Sequence, residues 1–322
     1  MNRRQFALAA AALAAAPMAF AETAYPSQYI KWIVPYPPGG GTDNLARTLA
    51  DSMRAGLGQQ LVIENRPGAA TNVGADAVAR AKPDGYTVMS ADNALMAFNA
   101  YLFKKLPFDP DKDFTYIGAI GKFPLALVVH PSFPAKNFKE FLAYVRANPG
   151  KVNYASVGNG SPHHLAMEMF KTRTGTSLVH VPYRGAAPAM QDVMAGQVPV
   201  MFLDLASGLS IIQSGKVRAL AIGSRTRTPV LPDVPTLTEQ GVADIDVFAL
   251  QGVLGPASMQ PATVQRLNQE LNKALKNPDV MKRFTDFGLE PLPGTPEQFR
   301  ALAREESRKW GPIIKDNHIS LD

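Results

Sequence analysis

The chain has 322 residues, of which 46% are hydrophobic and 19% are charged, and these proportions exclude a disordered chain and indicate a globular one. The formal net charge is +6, and the basic residues are scattered rather than grouped in a block, so nucleic-acid binding is not expected. The sequence contains no cysteine, so disulfides, thiolate catalysis and a lipoprotein anchor are not expected either.

The first 21 residues have the pattern of an export signal. Arg3 and Arg4 give a charged start to an Ala-rich apolar stretch, and Ala19-Phe20-Ala21 ends it with the small-x-small pattern of a cleavage site, which predicts cleavage after Ala21. The arginine pair is partly similar to a twin-arginine signal, so twin-arginine export and general secretion both stay open. No later stretch is apolar over the roughly 20 residues that a membrane span needs, so we expect a periplasmic protein that is not embedded in the membrane.

Behind the signal, short apolar runs alternate with helix patterns. Residues 22–322 exceed one ordinary core, which predicts two domains. The alternation predicts an α/β fold with mostly parallel sheets flanked by helices. Helix signals are clear after Asn137, where Glu140 completes a capping-box pattern, and after Thr295, where Pro296 takes the first helical position. The predicted strands are Ile30–Val34, Leu61–Ile63, Tyr86–Met89, Tyr116–Ile120, Leu125–Val129, Leu178–Val181, Val198–Phe202 and Val217–Ile222.

Four turns of Gly, small and hydroxyl residues each follow an apolar run and open a predicted helix. A helix N-terminus leaves N–H groups unpaired and carries the positive end of the helix dipole, so it attracts anions, and glycine lets a ligand approach the backbone closely. Any one of these turns is explained equally well as an ordinary capped helix start. Four together favour a pocket for a small anion, most simply a carboxylate. The turns are Pro37–Leu45, Pro67–Ala75, Val157–Leu165 and Tyr183–Gln191.

Catalytic and cofactor motifs are weak in this sequence. The serines of Ala155–Pro162 do not form a G-x-S-x-G nucleophile elbow, and no pair of histidines has the spacing of a zinc helix. The glycines before Thr42 are not followed by the Lys of a Walker motif. We therefore predict no catalytic residue, no metal ligand and no cofactor. An exported hydrolase that uses His163 or His164 stays open as an alternative.

Six segments, taken in order, resemble the Bug-type extracytoplasmic solute receptors of tripartite tricarboxylate transporters, and the similarity runs from about Tyr29 to the C-terminus. The resemblance implies the two-lobed Venus-flytrap fold of type II periplasmic binding proteins, in which a carboxylate is held between lobes that close by a hinge. It implies membrane transporter subunits as partners, with an exported sensor that presents its ligand to a signalling protein as the alternative. The segments are Val34–Asn44, Glu64–Arg80, Pro83–Val88, Tyr154–Lys171, His180–Pro199 and Arg225–Val242.

The division into lobes follows from this expected fold. We expect the chain to cross to the second lobe near Phe123 and to return near Phe248. Lobe 1 then comprises residues 22–123 and 248–322, and lobe 2 comprises residues 124–247. The expected state is a monomer.

The first two turns supply several candidate ligand-binding residues. Gly39, Gly40 and Gly41 are expected to shape the first turn, and Thr42 to cap the helix and offer its hydroxyl to the ligand. A carboxylate at Asp43 would repel an anion, so this residue is expected to cap only. In the second turn, capping alone is an equally open interpretation. The candidates there are Ala70, Thr71 and Asn72.

The second half of the cleft is expected to contain the charged candidates. Arg184 could bring a full positive charge to a carboxylate, and His164 is expected to face the cleft in preference to His163. Asp204 follows a predicted strand, where it could bind an amine or hydroxyl of the ligand. That role would favour an amino or hydroxy acid over a plain diacid. The residues expected to wall the pocket or shape its turns are Tyr36, Asn159, Gly160, Ser161, Tyr183 and Gly185.

Overall fold

The computed structural model describes residues 25–322, so the predicted export signal and its cleavage site lie outside the described residues. Strands and helices alternate along the chain, and a π-helical turn at Ala94–Phe98 precedes the shortest helix. The strands are β1 (Ile30–Val34), β2 (Leu61–Asn65), β3 (Thr87–Asp92), β4 (Phe114–Val129), β5 (Asn153–Ser156), β6 (Val179–Pro182), β7 (Val200–Asp204), β8 (Arg218–Ile222), β9 (Phe248–Pro256) and β10 (Glu290–Pro291). The helices are α1 (Gly41–Leu57), α2 (Asn72–Ala79), α3 (Asn99–Leu102), α4 (Phe138–Ala147), α5 (Pro162–Thr174), α6 (Ala186–Met194), α7 (Leu205–Gln213), α8 (Pro261–Ala274), α9 (Pro278–Asp286) and α10 (Pro296–Asp316).

Two predicted helix starts are confirmed in detail. The side chain of Asn137 accepts a hydrogen bond from the Glu140 amide at the start of α4. At the start of α10, Thr295 and Gln298 form a complete capping box. Across residues 25–322, no helix combines the length and the apolar composition that crossing a membrane requires.

The sheet runs in the order β2-β1-β3-β9-β4-β7-β5-β6, and β8 and β10 also pair with β4. In the first lobe, β1 pairs in parallel with β2 and β3, and in the second lobe β5 pairs in parallel with β6 and β7. Strands β4 and β9 pair antiparallel with each other and with their other neighbours. The expected α/β fold is therefore confirmed, with sheets that are mixed, because the two strands that join the lobes run against the parallel sets.

The long strand β4 serves both lobes. It pairs with β9 as far as Pro124, which lies opposite Phe248, and from Leu125 it pairs instead with β7, where Leu125 lies opposite Asp204. The strand that pairs with β4 therefore changes between two consecutive residues, Pro124 and Leu125. The lobe boundaries near Phe123 and Phe248 stay a prediction, and this change of partners lies beside both of them.

Helix α10 connects the cores of the two lobes. Near its start, Phe299 and Ala303 are buried with residues of β3 and β9 in the first lobe. Near its end, Trp310 and Ile314 are buried in the cluster that includes Phe202 of the second lobe. A helix of 21 residues is about 30 Å long, which suffices to span both cores. We expected all of residues 248–322 to belong to lobe 1, whereas the end of α10 packs in the core of the second lobe.

Candidate functional site

Helix N-termini from the two lobes meet at a closed cleft. The strands β1 and β2 lead into α1 and α2 from the first lobe, and β5, β6 and β7 lead into α5, α6 and α7 from the second. A Cβ atom added to Gly41 would lie 2.9 Å from Oδ1 of Asp204, and one added to Gly185 would lie 3.1 Å from Cγ of Pro37. The lobes are thus in direct contact, and the space between them is divided into two cavities.

The outer cavity is the larger of the two, with a volume of about 1010 Å³. From the first lobe it is lined by the turn before α2, and from the second lobe by the turns before α5 and α6. Residues 320–322 form part of its rim. Arg184 is the only basic residue among the described residues that line it. The predicted site residues in this cavity are Tyr36, Ala70, Thr71, Asn159, Ser161, Tyr183, Arg184 and Gly185.

The inner chamber is a small space of about 40 Å³ behind the outer cavity. Tyr36, Pro37, Val157 and Gly185 line both spaces, so the two spaces adjoin at these residues. The predicted site residues in the chamber are Tyr36, Gly40, Gly41, Thr42, Gly185 and Asp204. The polar lining is completed by His163, which the sequence analysis ranked behind His164, and by two residues that the sequence did not suggest, Asp92 and Gln251.

A buried hydrogen bond between His163 and Asp204 lies on one side of the inner chamber. Nε2 of His163 lies 3.0 Å from Oδ2 of Asp204, and the Ser207 amide donates to Oδ1 of the same carboxylate over 2.8 Å. Burial raises the pKa of Asp204, but the hydrogen bond and charge of His163, together with Ser207, hold it below its ordinary value. Asp204 is therefore ionised, and Nε2 of His163 carries the proton that it accepts. Asp204 also caps α7, so its predicted place beside the cleft is combined with a structural role.

The opposite side of the chamber holds a second buried carboxylate. Tyr36 donates its hydroxyl to Oδ2 of Asp92 over 2.6 Å, and the Ala94 amide donates to Oδ1 over 3.0 Å. Burial raises the pKa of Asp92 despite these donors. Burial and the neighbouring carboxylate likewise raise the pKa of Tyr36 well above its ordinary value. Tyr36 thus forms a wall of the chamber, and its hydroxyl is already bonded to Asp92.

Two buried polar atoms in the chamber have no partner among the described residues. They are Nδ1 of His163 and Oε1 of Gln251, and both residues are at most 6% exposed. Buried polar groups almost always have hydrogen-bond partners, so two unpaired atoms on one small chamber indicate a site for water or a ligand.

The glycine turn before α1 is stabilised by the buried carboxylate of Asp43. Asp43 accepts hydrogen bonds from the Gly39 amide (3.0 Å), from Nε of Arg47 (3.0 Å) and from Nδ2 of Asn65 (2.9 Å). Burial raises the pKa of Asp43, but these donors hold it below its usual value. Its carboxylate braces the turn from the side away from both cavities. Gly39 lines neither cavity.

The N-terminus of α1 has free donors. Gly40 at the N-cap provides no side-chain cap, and the amides of Gly41 and Thr42 have no acceptor within residues 25–322. The hydroxyl of Thr42 has no hydrogen bond to another described residue either, so the capping role expected for it is not seen. These groups lie at the positive end of the α1 dipole and face the inner chamber.

The turn before α2 is strained. Ala69, Ala70 and Thr71 have φ angles of 45°, 49° and 77°, a left-handed conformation that side chains with a Cβ rarely adopt. Nδ2 of Asn99 holds the turn in place, since it lies 2.7 Å from the Ala70 carbonyl oxygen and 2.7 Å from Oδ1 of Asn72. Thr71 lines the outer cavity, whereas Asn72 is bonded to Asn99 and lines neither cavity.

The turn before α5 is supported by two stacked histidines. The Gly160 amide donates to Nδ1 of His164, whose ring stacks on His180 with centroids 4.0 Å apart. We expected His164 to face the cleft, but it lines neither cavity. Its neighbour His163 lines the inner chamber instead. Ser161 caps α5 and donates to the Gly158 carbonyl oxygen, so its hydroxyl is already engaged. Gly160 also lines neither cavity.

The turn before α6 combines an aromatic wall with a free cation. The hydroxyl of Tyr183 donates to Asp192 over 2.5 Å, and burial together with this bond raises the pKa of Tyr183 to about 12. Arg184 is exposed and has no ion-pair partner within residues 25–322. Gly185 adopts a φ of 107°, which only glycine reaches without strain, and this lets the turn approach Pro37 of the other lobe.

No metal centre is indicated in the part of the chain that the structure describes, where no group of three or more His, Asp or Glu residues could hold an ion. The N-termini of α1, α2 and α6, which have no side-chain cap, border the space between the lobes together with a strained turn and the cation of Arg184, which has no ion-pair partner among the described residues. A nucleophile adjacent to His163 or His164 is not present among the described contacts of either ring, which are with Asp204, Glu168, Gly160 and His180.

The chain is similar to known proteins over most of its length. A family model described as "Tripartite tricarboxylate transporter family receptor" matches residues 45–319. The protein BugT of Bordetella pertussis is 35% identical over 298 residues, which cover 92% of this chain and 91% of BugT.

Three solved structures are similar over most of their length. The periplasmic binding protein BugD has 34% identity and a TM-score of 0.87, with 92% of this chain and 99% of BugD covered. The R. palustris protein Rpa4515, solved with adipate, has 30% identity and a TM-score of 0.89, with 92% and 99% covered. MatC of Rhodopseudomonas palustris, solved with bound malate, has 32% identity and a TM-score of 0.86, with 90% and 100% covered.

Proposed function

We propose that this chain, which belongs to the family of tripartite tricarboxylate transporter receptors, binds a small carboxylate in the periplasm between its two lobes and delivers it to transporter subunits in the membrane. Receptors of this family are periplasmic solute-binding proteins with a two-lobed fold. The observation that carries the proposal is the strained turn Ala69–Thr71, which lines the outer cavity opposite the free cation of Arg184.

The strained turn offers unpaired donors. The amides of Ala69, Ala70 and Thr71 have no acceptor among the described residues, and successive amides in a turn form concavities that bind anions. Each left-handed residue costs about 1–3 kcal/mol, a cost that structures retain mostly at ligand clamps and active sites. A carboxylate bound by these amides from the first lobe and by Arg184 from the second would link the lobes and favour closure.

The ligands of the similar structures support the chemical class. Adipate and malate are both small carboxylates, and they are bound by proteins that are 30% and 32% identical to this chain. Two or three charge-assisted hydrogen bonds of about 1.5–3 kcal/mol each, with burial of the ligand between the lobes, are enough for binding in the micromolar range.

Binding is tested with residues 22–322, dialysed until free of carried-over ligand. Thermal unfolding is measured with a panel of mono-, di- and tricarboxylates, amino acids and aromatic acids. At 100 times its dissociation constant, a ligand adds about 2.7 kcal/mol to the free energy of unfolding, which raises the midpoint by several degrees. Isothermal titration then gives the stoichiometry, expected to be one. A panel that produces no shift would contradict carboxylate binding.

Delivery and location need separate experiments. Fractionation of cells that express the full chain should find the mature protein in the periplasm, cleaved after Ala21. The ligand-loaded protein, used to capture partners from solubilised membranes, should recover a transporter with several membrane spans. Recovery of a membrane signalling protein by the loaded form would instead support a sensor. The lobe boundaries near Phe123 and Phe248 are part of the same proposal, and limited proteolysis with and without ligand tests them.

A further inference from the structure

Helix α10 contains a buried carboxylate between the parts that pack on the two lobes. Glu306 follows Ala303, which packs in the first lobe, and precedes Trp310, which packs in the second, and it is only 4% exposed. A carboxylate that is removed from water is costly unless hydrogen-bond donors surround it. The donors of Glu306 therefore show which elements this residue holds together.

Three side chains donate to Glu306, and they connect it to both lobes. Oε2 accepts from Nδ2 of Asn93 over 3.0 Å and from Nε1 of Trp310 over 3.0 Å. Oε1 accepts from Nζ of Lys309 over 3.2 Å, and the same Nζ donates to the Asp246 carbonyl oxygen over 2.7 Å. Asn93 directly follows β3 of the first lobe, whereas the residues on both sides of Asp246 are buried in the core of the second. One carboxylate thus links the two lobes.

Asn93 connects Glu306 to the strands that border the inner chamber. The ladder between β3 and β9 ends where Asp92 lies opposite Gln251, and one residue further Oδ1 of Asn93 accepts from the Leu250 amide over 2.6 Å. Asp92 and Gln251 both line the inner chamber. Glu306 itself lines neither cavity, so an effect of this residue on binding must pass through Asn93.

Three elements pass between the lobes: β4, the segment that enters β9, and α10. We call the place where they pass, at Pro124, Phe248 and Glu306, the hinge. Apolar side chains can repack when neighbouring elements slide, but a buried donor that loses its acceptor is strongly unfavourable. Each hydrogen bond of Glu306 therefore opposes a sliding of α10 against the strands.

We infer that Glu306 is a positioning residue for ligand binding: its carboxylate fixes the arrangement of α10, the end of β3 and β9 at the hinge, so that the lobes close in the one register that aligns the two halves of the site. The part of the inference that concerns affinity rests on the proposed function. The arrangement of the hinge does not require a ligand, and this separates the two in the experiment.

The experiment measures the distance between the lobes directly. The sequence contains no cysteine, so Val62→Cys on β2 and Val179→Cys on β6 provide two unique attachment points for spin labels, at positions that are 44% and 43% exposed. These strands lie at opposite ends of the strand order, one in each lobe. Double electron–electron resonance gives the distribution of label distances in residues 22–322, with and without the best acid of the panel. We expect one narrow peak in each state, at two different distances.

Two variants of Glu306 separate its acceptor oxygens from its size. Glu306→Met removes the acceptors at similar size, so the distance distribution should broaden in both states. Affinity should then fall about tenfold, as it does when the competent arrangement is populated about one time in ten. Glu306→Gln keeps an oxygen for Asn93 and Trp310, so it should restore the narrow distribution and an affinity within about threefold of the parent protein.

A matched control shows that loss of stability alone does not broaden the distribution. Glu270 is another buried carboxylate, 3% exposed, and its donors Arg266 and Lys273 lie on the same helix of the first lobe. Glu270→Met should lower the thermal midpoint and leave the distribution narrow. If Glu306→Met does not fold, Lys309→Met replaces it, because it removes only the partly exposed link from the carboxylate to Asp246 and should broaden the distribution too.

The outcomes distinguish the inference from the proposed function. If Glu306→Met, or Lys309→Met in its place, has a distribution as narrow as that of Glu270→Met in both states, the inference is overturned. If the distribution broadens but affinity is unchanged, Glu306 orders the hinge without positioning the site, and the inference about binding is wrong. If no acid binds the parent protein, the proposed function fails, and the ligand-free distributions still decide whether Glu306 orders the hinge.

Discussion

His164 and His180 stack face to face, with ring centroids 4.0 Å apart and ring planes 7° apart, behind the turn that leads into α5. His180 also stacks on Tyr154 and lies 2.7 Å from Oγ of Ser156, while His164 accepts from the Gly160 amide. Burial lowers the pKa of His164 to about 4 and, with the neighbouring His164, that of His180 to about 3. The turn that borders the outer cavity thus depends on two rings that must stay neutral.

The first prediction is that stability falls as the pH falls from about 6.5 towards 4. In this interval the unfolded chain protonates both rings, at an ordinary pKa near 6.5, while the folded chain does not, so the unfolded state binds more protons. Each such proton contributes a slope of up to about 1.4 kcal/mol per pH unit. Urea unfolding at pH 7, 6, 5 and 4.5 measures the slope.

A variant shows whether these rings cause the slope. His180→Phe keeps a flat aromatic ring on Tyr154 and removes one titrating group, so the loss of stability between pH 6.5 and 4 should be shallower than in the wild type. His318→Gln, which changes an exposed histidine, serves as the control. Equal slopes in the wild type and in His180→Phe would show that the stacked pair is not responsible.

The second prediction concerns Arg184. Because this side chain is exposed and has no ion-pair partner within residues 25–322, Arg184→Gln should leave the thermal midpoint within about 1 °C of the wild type. Loss of one charge-assisted hydrogen bond should weaken the best acid of the panel about tenfold. Isothermal titration measures both variants, and the control is Arg173→Gln, at a residue that is also exposed and has no ion-pair partner in the described part of the chain. Equal affinity in the two variants would remove Arg184 from the carboxylate site.

The third prediction concerns the strained turn before α2. Asn99→Ala removes the amide that holds the Ala70 carbonyl and Asn72, so the turn should relax from its left-handed conformation. Ligand affinity should fall more than tenfold, because the amides of residues 69–71 would no longer converge. The free energy of unfolding should fall by only about 1–2 kcal/mol, since relief of strain offsets part of the lost hydrogen bonding. Calorimetry and urea unfolding measure the two effects, and an unchanged affinity would contradict the role of the turn.

Much of the site could be predicted because its backbone has a sequence signal. Glycine and hydroxyl residues after short apolar runs mark the helix starts at Gly41 and Gly185, and these turns do meet across the cleft. Gln251 has a weaker signal, as the one polar side chain in the apolar strand Phe248–Pro256. Asp92 has no sequence signal that distinguishes it from other residues at strand ends, because its hydrogen-bond partner Tyr36 lies in a distant segment.

Which of His163 and His164 faces the cleft could not be predicted from the sequence. Adjacent residues on a helix point about 100° apart, so the orientation of each depends on the rotational phase of α5. That phase is normally read from an apolar stripe. Every residue from Ser161 to Met167 is buried, so this part of α5 has no polar face from which the phase could be read. The packing of α10 on both cores could not be predicted either, because an apolar stripe on a helix does not indicate which sheet each of its turns contacts.

The last prediction concerns closure of the lobes at Gly41. A Cβ at this position would lie 2.9 Å from Oδ1 of Asp204, which is closer than real Cβ contacts come, and 3.2 Å from Cβ of Ala206, which is a tight contact; both atoms belong to the opposite lobe. Gly41 has helical geometry at the start of α1, so Gly41→Ala should not lower the free energy of unfolding. It should weaken ligand binding at least tenfold, because the closed cleft can no longer form.

Small-angle scattering checks the mechanism of this loss. The wild type with saturating ligand should have a smaller radius of gyration than without it, while Gly41→Ala should keep the larger value at the same ligand concentration. Gly40→Ala is the matched control, because a Cβ there would lie 3.9 Å from Cβ of Ala186, an ordinary contact across the same cleft. It should close and bind nearly as the wild type does. If Gly41→Ala contracts on ligand addition as Gly40→Ala does, the contact with Asp204 does not limit closure, and the two lobes meet with more freedom than the 2.9 Å approach implies.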